Sequence, residues 1–329
     1  MARQAEFEAL YVAGTRFRDA VLRRDDSLFT PGRSIWNAAT IDDLFDRYEA
    51  DISRDKLEIK LSRQIADADD ITRQLAAELL YVHLLLPCDT KGAKKHDMVT
   101  TILEPLQLEV TIPDELNQAL DRGIATIGAA LAWQSAQFTY LLRLVRLWKS
   151  LPLDEQSVLL TDPWAFKSFL YEDRVPPRGA QVQREALLYL IFPDTFEDSV
   201  SIEHKQMISN AFGDRITEQT GDVDRQLLQI RHNLTDEYGT DFSYYNPQLR
   251  NLWNPSHPPA AQNAQQVIEK LYPDEHARRV VLGALAQSIR VASDANPWAW
   301  AMTIPGGDGC ALMWVRSRQW FLKRAASFS

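Results

Sequence analysis

The sequence predicts a mostly α-helical protein: an irregular multi-helix domain, then a small, incomplete α+β segment with a β-hairpin. Three observations predict it. Apolar residues recur at steps of three and four along several stretches. Prolines and glycines fall between those stretches. Only one strand–turn–strand pattern stands out, two apolar segments flanking Pro305-Gly-Gly-Asp-Gly309.

The elements follow in order. Ile71, Leu75, Leu79, Val82 and Leu86 share one helical face, and Pro87 ends that helix. Phe138, Leu141, Leu142, Val145 and Trp148 form a second apolar stripe, closed by Lys149 and Pro152. Asp162 before Pro163 has the form of an N-cap with proline in the first turn, starting a helix through Trp164, Phe166 and Phe169. REALLYLIF (184–192), HKQMISNAF (204–212) and DRQLLQIRHNL (224–234) read as further helices, and another runs from Glu275 to about Ala292. Breakers separate them at Pro31-Gly32, Pro176-Pro177 and Pro193-Asp194. The expected domains are a helical domain over 1–252, a linker over 253–263 (WNPSHPPAAQN) and a partial α+β segment over 264–329. Its hairpin pairs WAWAMTI with CALMWV near 298–316.

With 329 residues, 45% hydrophobic and 25% charged, the chain has room for two ordinary domains or one large one, and wholesale disorder is excluded. Thirteen glycines and 16 prolines are too few for a collagen-like or low-complexity protein. No apolar run is long enough for a membrane span, and MARQAEFEAL carries acids where a signal peptide needs an apolar core, so the expected location is the cytoplasm. Cys88 and Cys310 cannot make a disulfide framework or a cysteine-rich zinc site by themselves. The net charge of −9 argues against a surface that binds nucleic acid throughout, though a local basic patch is compatible with it. Residues 311–329 carry +4, from Arg316, Arg318, Lys323 and Arg324, leaving −13 for residues 1–310.

Motifs that would carry chemistry are missing. There is no GxxxxGK[ST] loop, no GxGxxG, no HExxH and no GxSxG. His83, His96, His204, His232, His257 and His276 lack the short spacing of a metal pair. His83 lies in an apolar helix and reads as a hydrogen-bonded core residue, and His232 as a solvated or capping one. One arrangement imitates a metal-dependent nuclease of the PD-(D/E)xK kind: Asp194 after Pro193, then Glu203 and Lys205. That mechanism needs Glu203 and Lys205 on one side of a strand. The local pattern is helical instead, which would turn residues two apart about 200° from each other, and the preferred reading is a helix–turn–helix whose charges are solvated. The aromatics Tyr238, Phe242, Tyr244, Tyr245 and Trp253, close to Arg250, could stack on bases, but packing the corners between helices is the preferred role.

Seven blocks in order carry a family resemblance: RDDSLFTPGRSIWN (24–37), QLAAELLYVHLLLP (74–87), LVRLWKSLP (144–152), DPWAFKSFL (162–170), REALLYLIFPDTFEDSVSIEHKQMISNAF (184–212), DRQLLQIRHNL (224–234) and YYNPQLRNLW (244–253). Together they resemble the amino-terminal region of bacterial McrB-type restriction proteins, over about residues 16–303. The resemblance implies a recognition or regulatory region ahead of an AAA+ GTPase motor, acting with DNA and a partner restriction nuclease subunit in defence against foreign DNA. It assigns no catalytic, cofactor-binding, metal or DNA-binding residue here. This chain alone is expected to catalyse nothing and to need no cofactor. The alternative is a stand-alone helical protein-interaction module; a PD-(D/E)xK-like nuclease ranks below both. The family pattern continues past the hairpin with a strand reading roughly Leu-Asn-Val-Gly, whereas this chain has Ala311-Leu312-Met313-Trp314-Val315 and a basic tail. A two-base shift in the codons for Met-Trp-Val yields Val-Gly. The expectation is therefore a truncated chain, out of frame from about residue 312, with Trp314, Trp320 and Phe321 unpacked; a native basic tail would bury them.

Overall fold

The computed structural model describes residues 3–49, 56–106, 109–172, 179–254, 274–276, 300–303, 310–316 and 319–324. Its contacts divide the chain into two compact units, Met1–Asn246 and Pro247–Ser329. The fold is mostly helical, with thirteen α-helices among the described residues. None of them is long and apolar enough to cross a membrane.

The first unit opens with α1 (Glu8–Arg16), which runs directly into a π-helical turn at Phe17–Leu22. After an irregular loop come α2 (Ala38–Glu49), α3 (Leu57–Gln64) and α4 (Asp70–Leu84). Asp69 caps α4 by accepting the Thr72 N–H at 2.8 Å. From Leu75 to Leu84 every residue of α4 is buried, because α2, α5 (Gly92–Leu103) and later α7 pack around it. A helix apolar on all sides belongs in the middle of a core. The sequence placed one apolar face here; the other faces are buried too from Gln74 onward, and in the first turn Asp70 and Arg73 are half-buried and Ile71, the first residue of the predicted stripe, is exposed. The helix stops at Leu84, three residues before Pro87. Leu85 and Leu86 then accept the N–H groups of Ile124 and Ala125 at 3.1 Å each. Gly123 lets these segments meet, since a Cβ there would run into the backbone of Pro87.

Next come α6 (Asp114–Leu120), α7 (Gln134–Ser150), α8 (Leu153–Leu159) and α9 (Pro163–Glu172). Asp162 caps α9, accepting from Trp164 N at 2.8 Å and Ala165 N at 3.1 Å, as its position before Pro163 predicts. Trp148, on the stripe predicted for α7, is buried against Phe166 and Phe169 of α9, with ring centroids 6.1 and 5.8 Å away. The unit closes with α10 (Gln181–Ile191), α11 (Ile202–Ala211) and α12 (Val223–Tyr238). The first turn of α11 is fixed by Ser201, which accepts the His204 N–H at 3.2 Å.

The second unit contains α13 (Pro247–Trp253) and three antiparallel strands, β1 (Trp300–Thr303), β2 (Cys310–Arg316) and β3 (Gln319–Arg324), in the order β1–β2–β3. Their register sets Trp300 opposite Met313 and Met313 opposite Leu322. The expected PGGDG turn lies outside the described residues, and so does the packing of Trp314, Trp320 and Phe321. Of the linker expected over 253–263 only Trp253 and Asn254 are described, and of the helix expected over 275–292 only Glu275 and His276.

Candidate functional site

The residues that imitate a nuclease are taken apart by the fold. Asp194 sits in the turn after α10, where both of its oxygens accept from Arg3 at 3.1 Å. Glu203 and Lys205 lie on α11, as the helical pattern predicts; Glu203 is exposed, but Lys205 is only 1% exposed and not the solvated charge expected, because its ammonium finds buried carboxylates on neighbouring helices. They leave opposite sides of the helix and do not converge with Asp194 on a common point.

Lys205 instead enters a buried network between α9, α10, α11 and α12. Its ammonium is 2.6 Å from Glu185 and 2.8 Å from Asp224. Lys167 joins Asp224 at 2.6 Å and the α12 cap Asp222 at 2.5 Å. Arg184 contacts Glu185 at 3.2 Å, and the Tyr171 hydroxyl donates to the same oxygen at 2.6 Å. Burial alone would lower the Lys205 pKa, but Glu185 and Asp224 outweigh it and hold the ammonium charged. Burial likewise pulls Asp224 up, and Lys205 and Lys167 outweigh it and bring the carboxyl below its ordinary value. Three cations face three carboxylates, so the charge is satisfied internally. Such a cluster clasps helices; it leaves no carboxylate free to hold a metal and no lysine open to water.

A second network forms around Glu197 and Asp198 in the buried turn leading to α11. Arg231 of α12 makes a fork to Glu197 at 2.6 and 2.5 Å and lies 4.1 Å above the Phe242 ring and 5.4 Å from that of Tyr244. These two aromatics are core residues packed on an arginine of the first unit, in the corner-filling role. Tyr245 reaches Ser199 at 2.9 Å and His204 at 3.1 Å. Asp198 accepts from Gln4 at 3.1 Å and Ser243 at 3.2 Å, which ties the amino-terminal segment to the segment after α12. Burial, reinforced by neighbouring Glu197, pushes the Asp198 carboxyl up to about 6.

A third cluster centres on Glu78 of α4. Its carboxylate accepts from Ser27 Oγ at 2.5 Å, Leu28 N at 2.8 Å, Phe29 N at 3.1 Å, Trp36 Nε1 at 2.7 Å and Gln74 Nε2 at 2.9 Å. One buried side chain thereby pins the loop between the π-helical turn and α2, and burial pushes its carboxyl above the ordinary range. His83, one turn further along, is fully buried with Nδ1 2.9 Å from Gln183 Oε1; burial takes it down to about 4, so it is a neutral core histidine as predicted. His232 is exposed, also as predicted; Cys88, for which the sequence made no such prediction, is exposed as well. Among the described residues no group of three or more His, Cys, Asp or Glu side chains is placed to hold a metal.

Sequence reasoning missed Glu78, Glu185, Glu197, Asp198, Asp224 and Arg231. The signal available was a charge inside an apolar run, as in RE-ALLYLIF and QLAA-E-LLYV. Compared with protein-family models, with curated proteins and with solved structures, the chain matches none.

Proposed function

We propose that this chain is a helical recognition or regulatory region of the McrB type, itself non-catalytic, working with a nucleotide-driven motor and a partner nuclease against foreign DNA. What carries this reading is that the seven blocks of resemblance touch one another in an unbroken series. Glu78 of the second block holds Ser27 of the first, and Asp25 of the first pairs with Lys149 of the third. Trp148 of the third meets Phe166 of the fourth, which meets Phe192 of the fifth. Glu197 of the fifth pairs with Arg231 of the sixth, and Leu227 of the sixth accepts from Tyr244 of the seventh at 3.4 Å. A pattern spread over seven blocks has a physical reason to persist together when those blocks form one another's contacts.

The test is binding of the full chain to duplex DNA, with and without methylated cytosine, across a salt series. Phosphate-driven binding should weaken by about tenfold or more between about 50 and about 200 mM salt. No affinity for any duplex at low salt would sink the DNA role. A second reading then stands, a helical protein-interaction module. It draws support from the net charge of −9 and from Leu153 and Val158 on α8, 78% and 57% exposed.

A further inference from the structure

A cleft of about 520 Å³ lies beside the first turns of α3 and α5. Lys56, Lys91 and Lys94 line it, with Leu57, Met98 and Leu131 forming its apolar part. None of the three lysines has a hydrogen-bond or ion-pair partner among the described residues, and all three are exposed. Elsewhere in the first unit the partly or fully buried lysines are spent: Lys95 on the Arg122 carbonyl, Lys149 on Asp25, Lys167 and Lys205 on the α9–α12 network. Lys60, one turn along α3 from Lys56, lies 4.5 Å from the Tyr48 ring centroid and adds a fourth positive charge nearby.

The cleft also holds two carboxylates, and they do not cancel this field. Asp89 is already engaged, accepting from Ile127 N at 3.1 Å and Gly128 N at 2.7 Å. Asp89 keeps its charge while accepting these neutral amides, so with Glu58 it sets two negative charges against three lysines, and the lining stays net positive by one. Neither α3 nor α5 has a side-chain cap hydrogen bond at its amino end; Glu58 lies in the first turn of α3, and the Asp121 carboxylate lies against Gly92 at the start of α5. A chain of net charge −9 thus has a concave place where ammonium groups without a partner among the described residues meet an apolar floor. The volume falls in the range of small-molecule sites.

We propose that this cleft binds a small phosphorylated molecule of nucleotide size, its phosphates among Lys56, Lys91 and Lys94 and its less polar body over Leu57, Met98 and Leu131. This goes beyond the DNA reading and does not depend on it. Calorimetric titration of the full chain with adenosine diphosphate, inorganic pyrophosphate and duplex DNA tests it. Saturable one-to-one binding of the nucleotide is expected, with pyrophosphate about tenfold weaker for want of the apolar contacts. The double variant Lys91→Ala/Lys94→Ala should weaken nucleotide binding by about tenfold or more, and Lys56→Ala, on the other helix, by roughly threefold. All three side chains are exposed, so thermal melts should match the parent. Arg24→Ala, which removes an exposed charge outside the cleft, should leave binding unchanged. The proposal is overturned by the absence of saturable nucleotide binding, by affinity unaltered in both lysine variants, by pyrophosphate binding as tightly as the nucleotide, or by duplex DNA displacing the nucleotide at equal phosphate concentration.

Discussion

Lys205 occupies the position a nuclease of the imitated kind would give to its catalytic lysine, and its surroundings assign it the opposite work. It neutralises Glu185 and Asp224 in a place water does not reach. Lys205→Ala should therefore cost about 3–5 kcal/mol, because two buried carboxylates lose their shared cation. In a unit of this size that is a fall in melting temperature of roughly 10 °C; an unchanged melt would remove the network from the account. Asp198 behaves differently. Its folded pKa of about 6 lies above the ordinary 3.8, so the folded chain holds an extra proton between those values. The stability that neutral Asp198 contributes is complete below pH ~4 and lost as pH rises to ~6, about 3 kcal/mol in all. Asp198→Asn cannot titrate, so its stability relative to the parent should rise by about that amount across the window. Parallel melts of the two chains from acid to neutral pH check this, and a constant difference would refute it. The helix that carries Lys205 was legible, but its burial beside Ile208 and Phe212 overturns the solvated charge expected there. Its partners were not legible, because Glu185 and Asp224 lie on other helices and no local spacing links them.

At the scale of elements, helices were readable where apolar period and breakers agreed. The stretch from Gln134 to Ser150 stops before Pro152, α9 begins at Pro163 under Asp162, and α11 begins at Ile202. The α1 region escaped notice for a physical reason. The π-helical turn at Phe17–Leu22 shifts the side-chain period, so Leu10, Tyr11, Phe17, Val21 and Leu22 are all buried without keeping one 3.6-residue stripe. Gly14 tests the packing of α1 on α10. A Cβ at this position would run into the Leu190 carbonyl, so the two backbones touch where no side chain fits. Alanine is the better helix former by about 0.5–1 kcal/mol, yet Gly14→Ala should destabilise by about 1–3 kcal/mol because a helix must move aside. Gly213→Ala, where the added methyl meets open space, is the control and should be nearly neutral. Equal effects of the two in denaturant unfolding would contradict the close approach.

Across the whole molecule, the helical class followed from patterning, while the arrangement depended on polar groups that composition cannot rank. The first unit has one large apolar cluster running from Leu10 to Val200, and Glu78, His83, Lys205 and Glu185 lie buried within the same unit. Each of those groups needs a specific partner to be tolerated, so together they admit few alternative packings. Glu78 carries this furthest. The amides of Leu28 and Phe29 end on a side chain 50 and 49 residues away, outside any helix or strand. Their protection from deuterium must therefore be borrowed: Leu28 is shielded only while α4 is formed and the loop is seated on it, and Phe29 keeps nothing without α4 but its local bond to Ser27 Oγ at 3.1 Å. The loop cannot fold ahead of the helix, and it should not open without cost to it. In native-state hydrogen exchange, Leu28 and Phe29 should lose their protons as slowly as the middle of α4 and with the same denaturant dependence. Exchange as fast as that of Gly32, at the exposed tip of the same loop, would mean that the loop opens on its own while the helix stays folded.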